Sequence, residues 1–168
     1  MLIRRAVPDD ADRITKHRQK MFRENQFGSD DVLTEMAVAF GAWVRQALQD
    51  DRYAGILVEE NGEVIAGAGV FFAEFPPHWR HPEPLRAYIC NVYTEPAHRG
   101  RGLAKLRTEK LLDECRQRNV ETVVLHASSM GRPVYEKLGF VQSDEMILSL
   151  GLSAKSSDDK NSFDSLST

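Results

Sequence analysis

Residues 91–106 read NVYTEPAHRGRGLAKL, a β-rich ending, a proline, and then positive charge gathered around two glycines. The preceding run, RAYICNVYT over 86–94, has the composition of a strand that stops at Glu95-Pro96, and a helical pattern begins at Gly102. Between them His98, Arg99, Arg101 and Lys105 surround Gly100 and Gly102, in a chain whose net charge is −3. A helix start presents N–H groups without partners and the positive end of the macrodipole, so it is a prepared anion site. Glycines there let the backbone approach an anion with no Cβ in the way. The turn therefore predicts a pyrophosphate-like ligand and fixes the local order as strand, turn, helix.

Working outward, Gly102 to Gln117 predicts a helix, with Ala104, Thr108, Leu111, Leu112 and Cys115 on one face at steps of three and four. ETVVLHA over 121–127 is a near-continuous apolar run and predicts a central strand covered on both faces. Gly131-Arg132-Pro133 opens a short helix through Leu138 that Gly139 ends, and FVQSDEMILSL over 140–150 predicts one or two closing strands. Upstream, EFPPHWRHPEP over 74–84 holds four prolines and must be a loop. Two apolar runs, 56–58 and 64–72, flank Asn61-Gly62, a hairpin signal. LIRRAV predicts the first strand, Asp10 to Arg23 a first helix, and Ser29 or Asp30 caps a second helix through Leu48.

The order β-α-α-β-β-β-α-β-α-β combines an antiparallel hairpin with a strand-helix-strand crossover. The predicted fold is α/β (α+β), a mixed, mostly antiparallel central sheet flanked by helices. Residues 1–152 form one domain, and 153–168 are a polar tail expected to be disordered.

Composition narrows the function. The chain has 168 residues, 42% hydrophobic and 28% charged, with pI near 6.0, which fits a soluble protein and not a general nucleic-acid binder. No run reaches the roughly 20 apolar residues of a membrane span, and the start lacks the apolar core of a signal peptide. Cys90 and Cys115 have no metal-ligand spacing and read as reduced, packed thiols of a cytoplasmic protein. No metal is expected.

Three phosphate-binding designs compete for the turn. A P-loop needs two glycines five apart followed by Lys-Ser/Thr, which this chain lacks. A dinucleotide fingerprint needs a third glycine where Lys105 stands. Arg99-Gly100-Arg101-Gly102-Leu103-Ala104 fits R-x-x-G-x-A instead. That stretch resembles the acetyl-CoA-binding motif of the GNAT superfamily of N-acetyltransferases. Gly131-Arg132-Pro133-Val134-Tyr135-Glu136-Lys137-Leu138-Gly139-Phe140 resembles the family's second signature, in order and at matching separation.

The resemblance implies the GNAT fold and acetyl-CoA as co-substrate. It implies that the backbone of Arg99, Gly100, Arg101, Gly102, Leu103 and Ala104 cradles the pyrophosphate. Lys105 and Arg107 are then candidates for the 3′-phosphate or for plain solvation. A bulge in the strand ahead, at Val92, Tyr93 and Thr94, would present main-chain groups to the pantetheine and the acetyl carbonyl. Tyr135 matches the tyrosine that protonates the leaving thiolate. Many members carry Asn and Ala where Ser128 and Gly131 stand here, and Ser128 is a candidate pantetheine contact.

The family fixes no base, and the candidates are Glu24, Glu74 and His126. Strand alternation puts Asn91 and Tyr93 on one face and Tyr88 on the other. Pro76, Pro77, His78 and Trp79 are placed to shape an acceptor pocket. Cys90 as a covalent acetyl carrier lacks an activating neighbour in sequence.

The expected function is direct transfer of acetyl from acetyl-CoA to a primary amine in a ternary complex. The acceptor is a small molecule, with a protein lysine or N-terminus, or a non-catalytic acyl-CoA binder, as alternatives. The expected partners are a small-molecule or peptide amine, with no nucleic acid and no membrane, and a monomer or homodimer.

Overall fold

The computed structural model describes residues 1–77, 79, 82–148 and 150, with one compact unit over Met1–His126 and a second from Ala127. His78 and the tail over 153–168 lie outside the described residues. In the first unit the strands β1 (Leu2–Arg5), β2 (Tyr53–Glu60), β3 (Glu63–Glu74), β4 (Leu85–Thr94) and β5 (Thr122–Leu125) form one sheet in that order. Pairing is antiparallel from β1 to β4 and parallel between β4 and β5. A parallel pair needs a crossover, and α3 (Leu103–Gln117) supplies it. α1 (Ala11–Glu24) and α2 (Asp30–Gln49) fill the long connection from β1 to β2.

Alternation along β2 assigns the helices to faces. Leu57 packs with Ile14, Val44 and Ala47 of α1 and α2, while its neighbour Val58 packs with Leu103 of α3. Successive side chains point to opposite faces, so α1 and α2 cover one side of the sheet and α3 the other. Asn61 and Gly62 both take positive φ, 53° and 82°, as the two-residue turn between β2 and β3 requires. The entry to α1 is pinned by Asp10, whose carboxylate accepts from Arg4 Nη1 at 2.6 Å, Arg4 Nη2 at 2.8 Å and the Val7 amide at 2.9 Å. Arg4 also reaches Glu59 on β2 at 2.7 Å, so one guanidinium ties strand, helix start and neighbouring strand together.

β3 carries the small-residue run Ala66-Gly67-Ala68-Gly69, where two other elements come close. A Cβ on Gly69 would lie 1.7 Å from the Tyr53 hydroxyl oxygen, and one on Gly67 would lie 3.1 Å from His17 Nδ1. These glycines make room for a ring from β2 and a ring from α1.

Two expectations for the C-terminal part are corrected. Among the described residues β5 is the last strand of the sheet instead of a central one, and its four residues are half-buried. Residues 140–148 form no strand. Val141, Met146, Ile147 and Leu148 are exposed, so the apolar alternation of this run has no surface to lie on. A pattern specifies a strand only where a ladder partner satisfies its backbone.

Within the second unit α4 (Arg132–Glu136) follows a turn closed by Ser128, whose Oγ accepts from the Gly131 amide at 3.2 Å. The Tyr135 and Phe140 rings meet edge-on at 5.9 Å. A Cβ on Gly131 would stand 3.1 Å from the Tyr135 ring, so glycine there leaves the ring room.

Candidate active site

The glycine turn is built as the sequence suggests, with its side chains used differently. Pro96–His98 form one turn of 3-10 helix, and Gly100 and Gly102 then take φ of 75° and 73°. A Cβ on either glycine would meet nothing within 4 Å, so positive φ selects glycine and the space above the turn is open. The Arg99 amide donates to the Pro96 carbonyl at 3.3 Å, which removes it from the cradle. The amides of Gly100, Arg101, Gly102, Leu103 and Ala104 donate to no backbone acceptor among the described residues. Leu103 is buried against Val58, Ile65 and Ala66, which fixes the first turn of α3 beneath those amides.

The basic side chains hold the turn in place. Arg101 grips Glu60 at the end of β2 through Nη2 at 2.7 Å and Nη1 at 3.0 Å, and its Nη1 lies 2.9 Å from His98 Nδ1. Arg99 pairs with Glu24 at the end of α1 and donates from Nε to the Thr94 carbonyl at 3.0 Å. Lys105 remains exposed, 3.7 Å from Glu109. Arg107, a candidate for the 3′-phosphate, is instead fully buried and donates to Thr94 Oγ1 at 2.9 Å. Its position on the inner face of α3 decides this, since a side chain there points at the sheet.

The expected bulge is present, one residue earlier than placed. Opposite Gly67 stands Tyr93 and opposite Gly69 stands Cys90, so β4 spends three steps where β3 spends two. Asn91 absorbs the extra residue with φ of 56°. Its side chain is buried, donating Nδ2–H to the Tyr53 hydroxyl at 3.0 Å and accepting from Arg18 Nη1 at 2.7 Å.

The bulge reverses the alternation that the sequence predicts. Tyr88 pairs with Phe71, whose ring packs 5.1 Å from that of Trp43 on α2, so Tyr88 shares the α1/α2 face. Tyr93, after the bulge, lies on that same face, its ring 5.2 Å from that of His17 on α1. The Tyr93 side chain therefore points away from the α3 face. Its hydroxyl donates to Glu24 Oε1 at 2.8 Å, and burial with this contact raises the phenol above its ordinary range. Val92 and Thr94 point to the α3 face, and the Thr94 carbonyl is already engaged by Arg99.

Beside the bulge the sheet opens. The β4–β5 ladder runs from Arg86 opposite Thr122 to Ile89 opposite Leu125 and stops, leaving Cys90 to Thr94 paired among the described residues with β3 alone. His126 stands just past the end of β5, exposed, with Nδ1 2.7 Å from the Tyr88 hydroxyl. It is thus an edge residue at the opening and not the core histidine of a central strand.

The other two base candidates sit elsewhere. Glu24 has both oxygens engaged, by Tyr93 and Arg99. Glu74 is opposite Leu85 at the far end of the ladder, five residues or roughly 17 Å along β3 from Gly69. Ser128 and Tyr135 belong to the second unit, where Ser128 closes the turn before α4.

The residues missed in the sequence are those that shape the bulge from a distance. Tyr53, Arg18 and His17 come from β2 and α1, and the readable trace of Tyr53 and His17 was the glycine pair at 67 and 69. His17 is buried, and burial lowers its pKa to about 4 against the opposing pull of Glu95. Burial pushes the Cys90 thiol up to about 12, so it is no ready thiolate.

Residues 12–140 match the sequence model of the Acetyltransferase (GNAT) family. The chain belongs to that family. Among solved structures it is similar to a GCN5-related N-acetyltransferase from Ralstonia eutropha, at 35% identity and a TM-score of 0.83 over 89% of this chain and 97% of that one. A predicted acetyltransferase from Clostridium acetobutylicum, solved with acetyl-CoA, is 30% identical with a TM-score of 0.80, covering 88% and 94% of the two chains. Among curated proteins, a glucosamine 6-phosphate N-acetyltransferase of Trypanosoma brucei brucei is 27% identical over 113 residues, 64% of this chain and 75% of its own. GNAT proteins use acetyl-CoA, and the glycine turn and the bulge both lie within the matched residues. No described helix is long and apolar enough to cross a membrane, and no described group of three His, Cys, Asp or Glu side chains could hold a metal ion.

Proposed function

We propose that this GNAT protein transfers acetyl from acetyl-CoA to the primary amine of a small molecule by direct attack. The observation that carries the reading is the row of five amides, Gly100 to Ala104, without backbone acceptors at the start of α3. Such a row, with open space above both glycines, suits pyrophosphate oxygens. The freed edge of β4 past Ile89 suits an extended pantetheine arm, which would place the thioester near Asn91 and Val92. The small-molecule preference draws on the curated relative, which acts on a sugar phosphate.

The amine must be neutral to attack. His126 takes its proton, directly or through one water, and the Tyr88 hydroxyl orients the imidazole through Nδ1. The amine nitrogen then bonds to the thioester carbon, the C–S bond breaks and Tyr135 supplies a proton to the departing thiolate, while the nitrogen's surplus proton passes through water to the phenolate, leaving a neutral amide and free CoA thiol. Tyr135 enters by its position in the second motif.

Thermal unfolding with acetyl-CoA, CoA and ATP at equal concentration tests the cradle. Both CoA species raise the midpoint, by about 2.7 kcal/mol of stabilisation at a hundredfold excess over the dissociation constant, and ATP does not. An absent shift with acetyl-CoA sinks the reading. An amine screen that follows free thiol then tests transfer, in which Tyr135→Phe keeps CoA binding and loses turnover.

A further inference from the structure

Arg18 lies on α1 with its guanidinium between two aromatic rings, 4.5 Å from the Phe22 centroid and 4.7 Å from that of Phe40. Its Nη1 donates to Asn91 Oδ1 at 2.7 Å, Nη2 donates to no described residue, and Nε is buried without an acceptor. No carboxylate among the described residues lies within ion-pair distance of it. Arg4, Arg45, Arg99 and Arg101, by contrast, each meet one.

A half-buried cation without a counter-ion is costly, and two ring faces offset only part of that cost. The neutral Asn91 amide cannot balance its charge. What remains is a planar, pre-positioned donor group, the form in which arginine recognises carboxylate and phosphate.

Its place adds the functional meaning. Arg18 is bonded to the bulge residue itself, on the α1/α2 face that Tyr88 and Cys90 share, one residue from Val92. An acceptor presenting its amine to a thioester at the bulge would have Arg18 beside it, bonded to the bulge residue.

We propose that Arg18 receives an anionic group of the acceptor, so that the substrates are small amines bearing a carboxylate or a phosphate. This rests on the acetyl-transfer reading of the same site. Arg18 then acts as a specificity-determining residue, with Phe22 and Phe40 holding its plane and Asn91 setting its distance from the bulge. The pairing supplies the counter-ion that Arg18 lacks among the described residues.

The test compares matched pairs of amines by thiol release. Amino acids are set against the amines left by their decarboxylation, and glucosamine 6-phosphate against glucosamine. The wild type favours the anionic member of at least one pair by about 100-fold or more in kcat/KM, and which pair responds tells carboxylate from phosphate. Arg18→Met brings that ratio towards one, whereas a merely structural role would lower both members together. Arg18→Lys restores part of the preference, and the wild-type ratio decides alone if Arg18→Met does not fold.

A second readout needs no turnover. Thermal unfolding with CoA present compares acetate and inorganic phosphate with chloride at equal ionic strength. The wild-type midpoint rises in one of these anions and that of Arg18→Met does not. Equal use of neutral and anionic amines overturns the proposal, and so does the absence of turnover together with equal anion responses in the two proteins. Loss of the CoA shift itself would overturn the acetyl-transfer reading, so the two failures are told apart.

Discussion

The glycine turn and the β4 bulge, at opposite ends of one proposed ligand, are made in different ways. The turn is local. Positive φ at Gly100 and Gly102, the first turn of α3 and the buried Leu103 all come from nine consecutive residues, Pro96 to Ala104. The bulge is assembled from four elements, with Arg18 from α1, Tyr53 from β2 and Gly69 from β3 converging on Asn91 of β4. A local device tolerates loss of its side-chain braces because its amides remain where the backbone puts them. An assembled device fails when any contributor is displaced.

The assembled bulge is most vulnerable at Gly69. A Cβ there would stand 1.7 Å from the Tyr53 hydroxyl and 2.1 Å from its ring carbon, both in the core. Gly69→Ala should cost several kcal/mol, or abolish folding, and chemical denaturation would show it. Stability close to wild type would mean that Tyr53 has another place to go and that the bulge is not pinned as described.

His17 gives the next largest effect, and it sharpens the comparison through pH. The folded protein keeps this histidine neutral down to about pH 4, while the unfolded chain takes a proton near 6.5. More protons are bound unfolded in that window, so stability is full above about pH 6.5 and declines as pH falls towards 4, by up to about 3 kcal/mol. Denaturation midpoints between pH 7 and 5 should slope accordingly in the wild type and flatten in His17→Gln.

At the turn the effects are smaller. Gly102→Ala forces a Cβ into the left-handed region at φ 73°, costing roughly 1–2 kcal/mol of stability, read by thermal unfolding. Arg101→Ala should change the unfolding midpoint least. Both partners of its ion pair are substantially solvent-exposed, with 41% and 26% of the side-chain surface accessible, and such pairs contribute little.

The same contrast explains what could be read in the sequence. Asn61-Gly62, the glycine turn and the helix from Leu103 to Gln117 are short-range statements, and each is present within a residue or two of its expected place. The bulge follows the family resemblance, yet its position at Asn91 and its reversal of side-chain parity depend on Tyr53 and Arg18, distant by 38 and 73 residues. No periodicity in RAYICNVYT contains that information, which is why Tyr88 was expected on the wrong face. The closing strand failed for a related reason, because FVQSDEMILSL has the alternation of a strand but no described ladder partner. The arginines at 99 and 101 were legible as a basic cluster. Their carboxylate partners, Glu24 and Glu60, lie 75 and 41 residues away, so their bracing role was not.

In the proposed acetyl-CoA site, backbone amides form the phosphate end and the arginine side chains only brace them. Calorimetric titration of acetyl-CoA into the wild type, a Gly100→Ala/Gly102→Ala variant and an Arg99→Ala/Arg101→Ala variant tests it most directly. The account predicts saturable binding by the wild type, at least about a tenfold loss in the glycine variant, equivalent to about 1.4 kcal/mol, and a smaller loss in the arginine variant. No binding by the wild type, or glycine changes that leave affinity intact while the arginine changes abolish it, would contradict the account.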